Sequence, residues 1–182
     1  MADVKRSSRQ KILAAAADLA CEIGPGHLSL DAVAQRAGVS KGGLLYNFSS
    51  KAKLLEALVE KHLDDFDAAL TETETRHSGE QNSLLVACLE LFAAERQQCQ
   101  PPPSGVLAAM VENPELLAPI KRFKRALLDR MKANAEHEND ALLVYLVLEG
   151  MRSLRLFDVD ILSLAEQDAA ITSLAEILAE RR

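Results

Sequence analysis

The sequence predicts an all-α protein of about nine helices, in which a three-helix head containing a helix-turn-helix precedes a helical body. Apolar residues recur every three or four positions along the 182 residues, sustained period-two alternation is absent, and only 4% of the residues are aromatic. A chain of this length can bury a core of its own. We expect the head to cover residues 1–50 and the body residues 51–182.

Serine and glycine residues mark the helices of the head. Helix one is expected over residues 8–23, helix two over Leu30–Ala37 after the N-cap Ser29, and helix three over Lys41–Asn47 after the N-cap Ser40. Gly38 suits the left-handed position that ends helix two. Two helices joined by a short turn that contains glycine form a helix-turn-helix.

Six further helices are predicted in the body. Helix four begins after Ser49 and Ser50 and runs past Thr71, and helix five covers residues 83–98 before a triple proline. The other four are expected at residues 106–112, 119–134, 139–157 and 162–180, with Pro119 as the first residue of the seventh. The last two should form an antiparallel pair.

Charge is unevenly distributed along the chain, whose net charge is −6. Residues 1–53 hold eight Lys and Arg against four Asp and Glu, whereas the remaining residues hold 13 against 23. Electrostatic attraction to phosphate is screened beyond about 10 Å at 0.1 M salt. A basic head on an acidic body is therefore typical of a protein that binds nucleic acid through its head alone.

Several function classes find no support in the sequence. The three cysteines form no CxxC pair, the four histidines lack metal-ligand spacing, and no nucleophile elbow or phosphate-binding loop is present. The longest apolar run, Ala141 to Leu148, has eight residues, far fewer than the roughly 20 that cross a bilayer. No signal peptide is recognisable. We expect a cytoplasmic protein without enzymatic activity, metal, cofactor or membrane contact.

The residues expected to contact DNA lie in and around helix three. Such a helix fits the major groove, which is about 12 Å wide. Gly42 and Gly43 each cost roughly 1 kcal/mol relative to alanine, and their missing side chains would allow close approach of the backbone. The expected contact residues, within and just after a motif that spans residues 29–48, are Ser29, Ser40, Lys41, Gly42, Gly43, Tyr46, Asn47 and Lys51.

Each polar residue of this set has alternative roles. Lys41 can reach a guanine edge or a phosphate, and Asn47 a base, a backbone oxygen or only solvent. Tyr46 can offer its hydroxyl to a phosphate or pack against helix one. Lys51 combines its charge with the backbone N–H groups at the start of helix four, which suits a phosphate contact. The basic residues of the amino-terminal tail either reach flanking DNA or remain solvated; they are Lys5, Arg6 and Arg9.

The stretch from Leu28 to Lys53, LSLDAVAQRAGVSKGGLLYNFSSKAK, resembles the amino-terminal signature of the TetR family of bacterial transcriptional regulators. The resemblance covers residues 8–68 and depends on a combined order: helix one, a serine cap, Ala-Gly-Val-Ser, an aromatic-bearing helix, then Phe-x-Ser-Lys at the start of a long helix. Leu45 departs from it, since many members carry an aromatic residue there. The resemblance implies a homodimeric repressor that binds a palindromic operator.

The resemblance also implies roles for the body. It places the dimer interface on the last two helices, where the candidate residues are Leu143, Val147, Leu154, Leu174 and Leu178. It implies a cavity for a small effector, and an apolar or aromatic molecule fits the candidate lining, which comprises Phe66, Cys88, Phe92, Met110, Phe123, Leu127 and Tyr145. The bound effector would tilt helix four, so that the two heads no longer fit successive major grooves about 34 Å apart.

Two other hypotheses remain open. The chain can be a regulator of the same family that has no small-molecule effector. It can also be an enzyme or a helical scaffold that happens to contain a helix-turn-helix, although no catalytic motif favours this hypothesis.

Overall fold

The structure, a computed structural model, describes residues 7–23, 27–97, 115, 117–157 and 159–180. Within these ranges it contains eight α-helices and no strand, which confirms the predicted all-α class. The helices are α1 (Ser8–Ile23), α2 (Leu30–Ala37), α3 (Lys41–Asn47), α4 (Lys51–Arg76), α5 (Ser83–Gln97), α6 (Leu117–Asn134), α7 (Glu138–Leu156) and α8 (Leu164–Glu180). The short helix predicted at residues 106–112 lies outside the described residues.

A glycine turn connects α2 to α3. Gly38 has a φ of +66°, a left-handed conformation that a residue with a Cβ adopts only at a cost. The Gly38 N–H donates to the Gln35 carbonyl at 3.2 Å, and the Val39 N–H donates to the Ala34 carbonyl at 3.0 Å. These two bonds satisfy carbonyls at the end of α2 and reverse the chain within two residues.

The described helices form two compact units. The first unit comprises α1, α2, α3, residues of α4 up to His62 and the first residues of α6 up to Ile120. Its core receives at least one fully buried side chain from each of the first four helices: Ile12, Val33, Leu44 and Leu54. Phe48, which follows α3, is also buried there.

The second unit comprises α4 from Leu63, α5, α6 from Lys121, α7 and α8. Its core is built almost entirely of aliphatic side chains, among them Leu70, Leu85, Met131, Val144, Leu148 and Leu178. Polar bonds tie the start of α5 to the end of α6: the Leu84 N–H donates to Asn134 Oδ1 at 2.9 Å, and the Glu136 N–H donates to Asn82 Oδ1 at 3.0 Å.

Two predicted helix starts are wrong by two residues. The seventh predicted helix begins at Leu117 instead of Pro119. Pro119 is tolerated as the third residue of this helix because the first four N–H groups of a helix have no partner within it. The last helix begins at Leu164 instead of residue 162. Ser163 is its N-cap, since the Ser163 N–H donates to Glu166 Oε2 at 2.8 Å and the Glu166 N–H donates to Ser163 Oγ at 3.3 Å.

Among the helices of the described ranges, none is both long enough and apolar enough to cross a lipid bilayer.

Substitution of Gly38 tests the turn. Gly38→Ala should lower the free energy of unfolding by about 1 kcal/mol, because alanine is strained at a positive φ. Gly42→Ala adds the same atoms at a helical glycine with open space around it and should raise stability by up to about 1 kcal/mol. Urea unfolding followed by circular dichroism measures both. Equal effects of the two substitutions would contradict the geometry of the turn.

Candidate nucleic-acid interface

The short helix α3 is held in the first unit by one face only. Leu44 and Phe48 are buried on that face, and Leu44 has no exposed surface. The opposite face presents Lys41, Gly42 and Tyr46 to solvent, and 91% of Tyr46 is exposed. The alternative in which Tyr46 packs against the first helix is therefore wrong. An exposed helix face of this kind is available to a major groove.

Both predicted serine caps are present and remain accessible. Ser29 Oγ accepts the Ala32 N–H at 3.1 Å, and Ser40 Oγ accepts the Gly43 N–H at 3.1 Å. Each hydroxyl still has its own O–H, since capping uses only an oxygen lone pair. The two exposed serines can thus fix the helix starts and also donate to a phosphate.

Lys41 is engaged in an ion pair with Asp31 of α2. The Lys41 Nζ lies 2.9 Å from Asp31 Oδ1, and both side chains are mostly exposed. Exposed pairs contribute about 0–1 kcal/mol, so a phosphate or a guanine edge can replace the carboxylate at little cost. Asn47 is held along its own helix, because its Nδ2 donates to the Gly43 carbonyl at 2.8 Å.

Lys51 is the first residue of α4 and is half-buried. The predicted cap before it is present, since the Lys53 N–H donates to Ser50 Oγ at 3.2 Å. This arrangement puts a lysine beside the positive end of a helix, where an anion is favoured.

Two further residues lie on this surface: Leu45, which the sequence analysis did not assign to it, and Arg9, for which it left flanking DNA or solvent open. Leu45 is 39% exposed on α3 and could meet a thymine methyl group. Arg9 lies in α1, with its guanidinium carbon 5.3 Å from the centre of the Phe48 ring. It borders an open groove together with Asn47 and Ser49. Arg9 thus belongs to the folded head, whereas Lys5 and Arg6 lie outside the described residues.

In the second unit, the structure brings the predicted effector-lining residues together. Cys88, Phe92 and Leu127 are buried in its core, and partly buried side chains pack against that core; the latter include Phe66, Phe123 and Tyr145. Phe66 and Phe123 meet edge to face, with ring centres 5.9 Å apart. Met110 lies outside the described residues.

A cluster of charges lies among these apolar residues. Arg152 of α7 reaches Glu95 of α5 at 3.2 Å and Glu149, one turn earlier in α7, at 3.4 Å. Glu149 is also paired with Lys124 of α6. The guanidinium carbon of Arg152 lies 5.3 Å from the centres of both the Phe66 and the Phe92 rings. No sequence motif indicated this cluster, since its members are spread over residues 95–152.

Beside the cluster lies a small cavity of about 40 Å³, lined by residues that include Phe92, Glu95, Met151, Arg152 and Arg155. Pockets for drug-sized ligands measure about 300–1,000 Å³. The cavity therefore has room for ordered water but not for a ligand of that size unless the unit expands.

The predicted dimer residues fall into three groups. Leu143 is exposed, and Val147 and Leu154 are half-buried. Leu174 and Leu178 are buried in the core of the second unit, so the prediction that they face a partner is wrong. The apolar repeat of α8 packs within its own protomer.

The structure exposes other large apolar side chains on and between the last two helices. Leu146, one turn after the start of the α7 apolar face at Leu143, is 65% exposed. Phe157, Val159, Ile161 and Leu164 are exposed as well. The sequence did not indicate this face, because residues 141–148 are all apolar and their spacing does not separate an exposed face from a buried one.

Comparisons with known proteins match both parts of the chain. The family described as "Bacterial regulatory proteins, tetR family" matches residues 12–58, and the family described as "Tetracyclin repressor-like, C-terminal domain" matches residues 82–179. The second match alone covers more than half of the chain. No curated protein matches the chain.

Solved structures share the fold over nearly the whole chain. A transcriptional regulator from Rhodococcus sp. Rha1 is 22% identical, with a TM-score of 0.72 and coverage of 96% of this chain and 97% of its own. NemR from E. coli, in its reduced form, is 18% identical, with a TM-score of 0.73 and coverage of 94% and 96%. NalD from Pseudomonas aeruginosa, described as the secondary repressor of the MexAB-OprM multidrug efflux pump, is 21% identical, with a TM-score of 0.61 and coverage of 95% of both chains.

Cys88 reports on the closed interior of the second unit. Burial raises the pKa of the Cys88 thiol to about 12, so thiolate at pH 8 amounts to on the order of one molecule in ten thousand. We expect iodoacetamide at pH 8 to alkylate Cys88 at least roughly a hundredfold more slowly in the native protein than in the chain unfolded by guanidinium. Peptide mapping by mass spectrometry measures both rates, and similar rates would show that this core is open.

Proposed function

The chain belongs to the TetR family of bacterial regulatory proteins, and on that basis we propose that it is a repressor that binds a palindromic operator as a homodimer and releases it when a small molecule binds in the body. Regulators of this family bind DNA through the helix-turn-helix. The observation that carries the proposal is the exposed face of α3, which lies opposite the buried Leu44 and on which Tyr46 is 91% exposed.

DNA binding is assigned to residues 1–50, together with Lys51 at the start of α4. In this proposal α3 enters the major groove, with Gly42 and Gly43 allowing the backbone to come close to the bases. Lys41 leaves Asp31 for a base edge or a phosphate, while Tyr46 and Lys51 donate to phosphates. The basic composition of the first 53 residues supports this division of roles.

Homodimerisation is assigned to α7, α8 and their connection, within residues 51–182. One seven-residue helix supplies few contacts, so tight site-specific binding needs two copies on a symmetric site. The exposed side chains of Leu143, Leu146 and Leu164 offer apolar surface for a second copy. Gly150 lies one turn after Leu146 and has nothing within 4 Å of the position of a Cβ, which favours close helix approach.

Release of DNA is assigned to an effector in the interior of the body. The helix α4 contributes residues to both compact units, so a change in its position could alter the spacing of the two heads. An effector must bind the released conformation more tightly than the DNA-bound one by several kcal/mol, about 5.5 for a shift from 1:99 to 99:1.

A regulator without a small-molecule effector is the second candidate function. The cavity of about 40 Å³ beside Arg152 favours it, since this cavity, as the described residues form it, is too small for a ligand of ordinary size. A thermal-shift screen of small apolar and aromatic molecules separates the two candidates. Stabilisation of the protein by some compound that also releases DNA supports the first, and a flat response to the whole screen supports the second.

Alanine substitution of the two lysines tests the phosphate and base contacts. DNA selected from a random pool with the purified protein provides the site. Lys51→Ala should weaken binding to all sequences and lower the slope of log K against log salt by about 2, one contact for each protomer. Lys132→Ala, in the body, is the control and should leave the slope unchanged. Unchanged operator binding by the Lys41→Ala, Lys51→Ala double variant would refute the assignment of these residues.

Gly42→Ala separates DNA binding from stability. The added methyl group meets no atom of the protein, so the fold should be at least as stable as the wild type. If the helix backbone approaches the bases, the same methyl group should weaken operator binding by at least about tenfold, equivalent to 1.4 kcal/mol. Gel-shift titration measures the change, and wild-type affinity would exclude close approach at this residue.

Leu146→Glu tests the dimer interface. A charge on the exposed apolar face should raise the dimer dissociation constant by at least about tenfold and weaken operator binding, while the protomer stays folded. Ile23→Glu, at an exposed apolar residue of the first unit, is the matched control. Sedimentation equilibrium measures the assembly. A Leu146→Glu protein that remains as dimeric as the control would exclude this face from the interface.

A further inference from the structure

In the second unit, the partly buried guanidinium of Arg152 lies beside the rings of Phe66 and Phe92. We propose that the effector is an amphipathic anion, an apolar or aromatic body carrying one carboxylate, and that Arg152 binds the carboxylate while Phe66, Phe92 and Phe123 contact the apolar body. This inference rests on the proposed function, because it names the chemical class of the effector.

Arg152 has hydrogen-bonding capacity that its present partners use poorly. Its nitrogens lie 3.2–3.4 Å from the carboxylate oxygens of Glu95 and Glu149. Charge-assisted bonds between guanidinium and carboxylate are normally about 2.7–2.9 Å long and often bidentate. Glu149 is in addition paired with Lys124. A ligand carboxylate could therefore form a shorter, forked pair with Arg152 than either glutamate does.

The Phe66 and Phe92 rings restrict the position of the Arg152 guanidinium. Arg152 is 28% exposed and lies over the faces of Phe66 and Phe92. Stacking of this kind limits the rotamers of the arginine, so less entropy is lost when an anion binds. Phe123 meets Phe66 edge to face and adds a third ring to the apolar wall. The wall and the guanidinium together match a molecule with one anionic end.

Arg152 also acts on the deeper core. Among the charged groups that shift the pKa of the buried Cys88 thiol, Arg152 has the largest effect and lowers it, although burial raises that pKa to about 12. Arg155 lines the small cavity next to Arg152, together with the acidic residues Glu95 and Asp160.

A cationic ligand fits these contacts less well. It would occupy the ring faces and Glu95 only by displacing Arg152, which would break the ion pairs of Arg152 with both Glu95 and Glu149. A carboxylate instead adds to a site in which Arg152 keeps its rings. Because the cavity encloses only about 40 Å³, the anion must bind an expanded form of the unit. An anion that binds only the expanded form prefers one conformation of the body over the other, and release of DNA depends on such a preference.

Three probes of equal length and different charge test the class of ligand. Isothermal titration calorimetry on the DNA-free protein compares 4-phenylbutyrate, 4-phenylbutanamide and 4-phenylbutylamine, with octanoate as a second carboxylate. The carboxylates should bind at least roughly tenfold more tightly than the amide, since charge-assisted hydrogen bonds to a guanidinium are stronger than those of a neutral amide. Preference for the amine, equal binding of all three, or no binding of either carboxylate overturns the proposal.

Substitutions then connect the preference with the named residues. Arg152→Met should abolish the preference for the carboxylate, and Arg125→Met, on the exposed Arg125–Asp129 pair of α6, is the matched control. Glu95→Gln removes the competing carboxylate, and this second variant tests the proposal even if the Arg152→Met protein fails to fold. It should tighten phenylbutyrate binding, and a loss of binding in Glu95→Gln would overturn the proposal. A gel shift with operator DNA is measured separately, so failure of DNA binding and failure of anion binding are distinguished.

Discussion

Burial of Leu44 and Phe48 is the constraint on which the candidate DNA-binding surface depends. A helix of seven residues is unstable alone, because nucleation is unfavourable and few bonds repay it. The two anchors fix α3 in the first unit by one face, and the Gly38 turn fixes its direction with respect to α2. The other face then presents Gly42 and Tyr46 to solvent on a helix backbone of fixed position. Rigid presentation of few side chains suits a groove reader.

Most of the fold could be predicted from the sequence because its determinants are local. The limits of a helix are set by a serine before its first turn and a glycine after its last, so each signal lies within four or five residues of the limit that it marks. Ser29, Gly38 and Ser40 are such signals. The start of α8 was missed although Ser163 and Glu166 form a capping box. The apolar residue Leu162 before the cap continued the helical spacing and concealed the boundary.

The interior of the body could not be predicted to the same extent, because its features are brought together from distant parts of the chain. Glu95 and Arg152 are 57 residues apart, and their spacing carries no periodic signal. Leu174 and Leu178 illustrate the same limit, since an apolar seam indicates that a helix packs against another without showing whether that helix is in the same protomer. Burial against the rest of the second unit decides the question.

Protection of guanine N7 from dimethyl sulphate tests the central claim most directly, because N7 faces the major groove. The claim is that two copies of α3 enter the groove on one symmetric site. On DNA selected by the protein, it predicts two protected patches centred about one helical turn, roughly 34 Å, apart, both lost in Gly42→Ala. A single protected patch, or binding without any protection of N7, would contradict it.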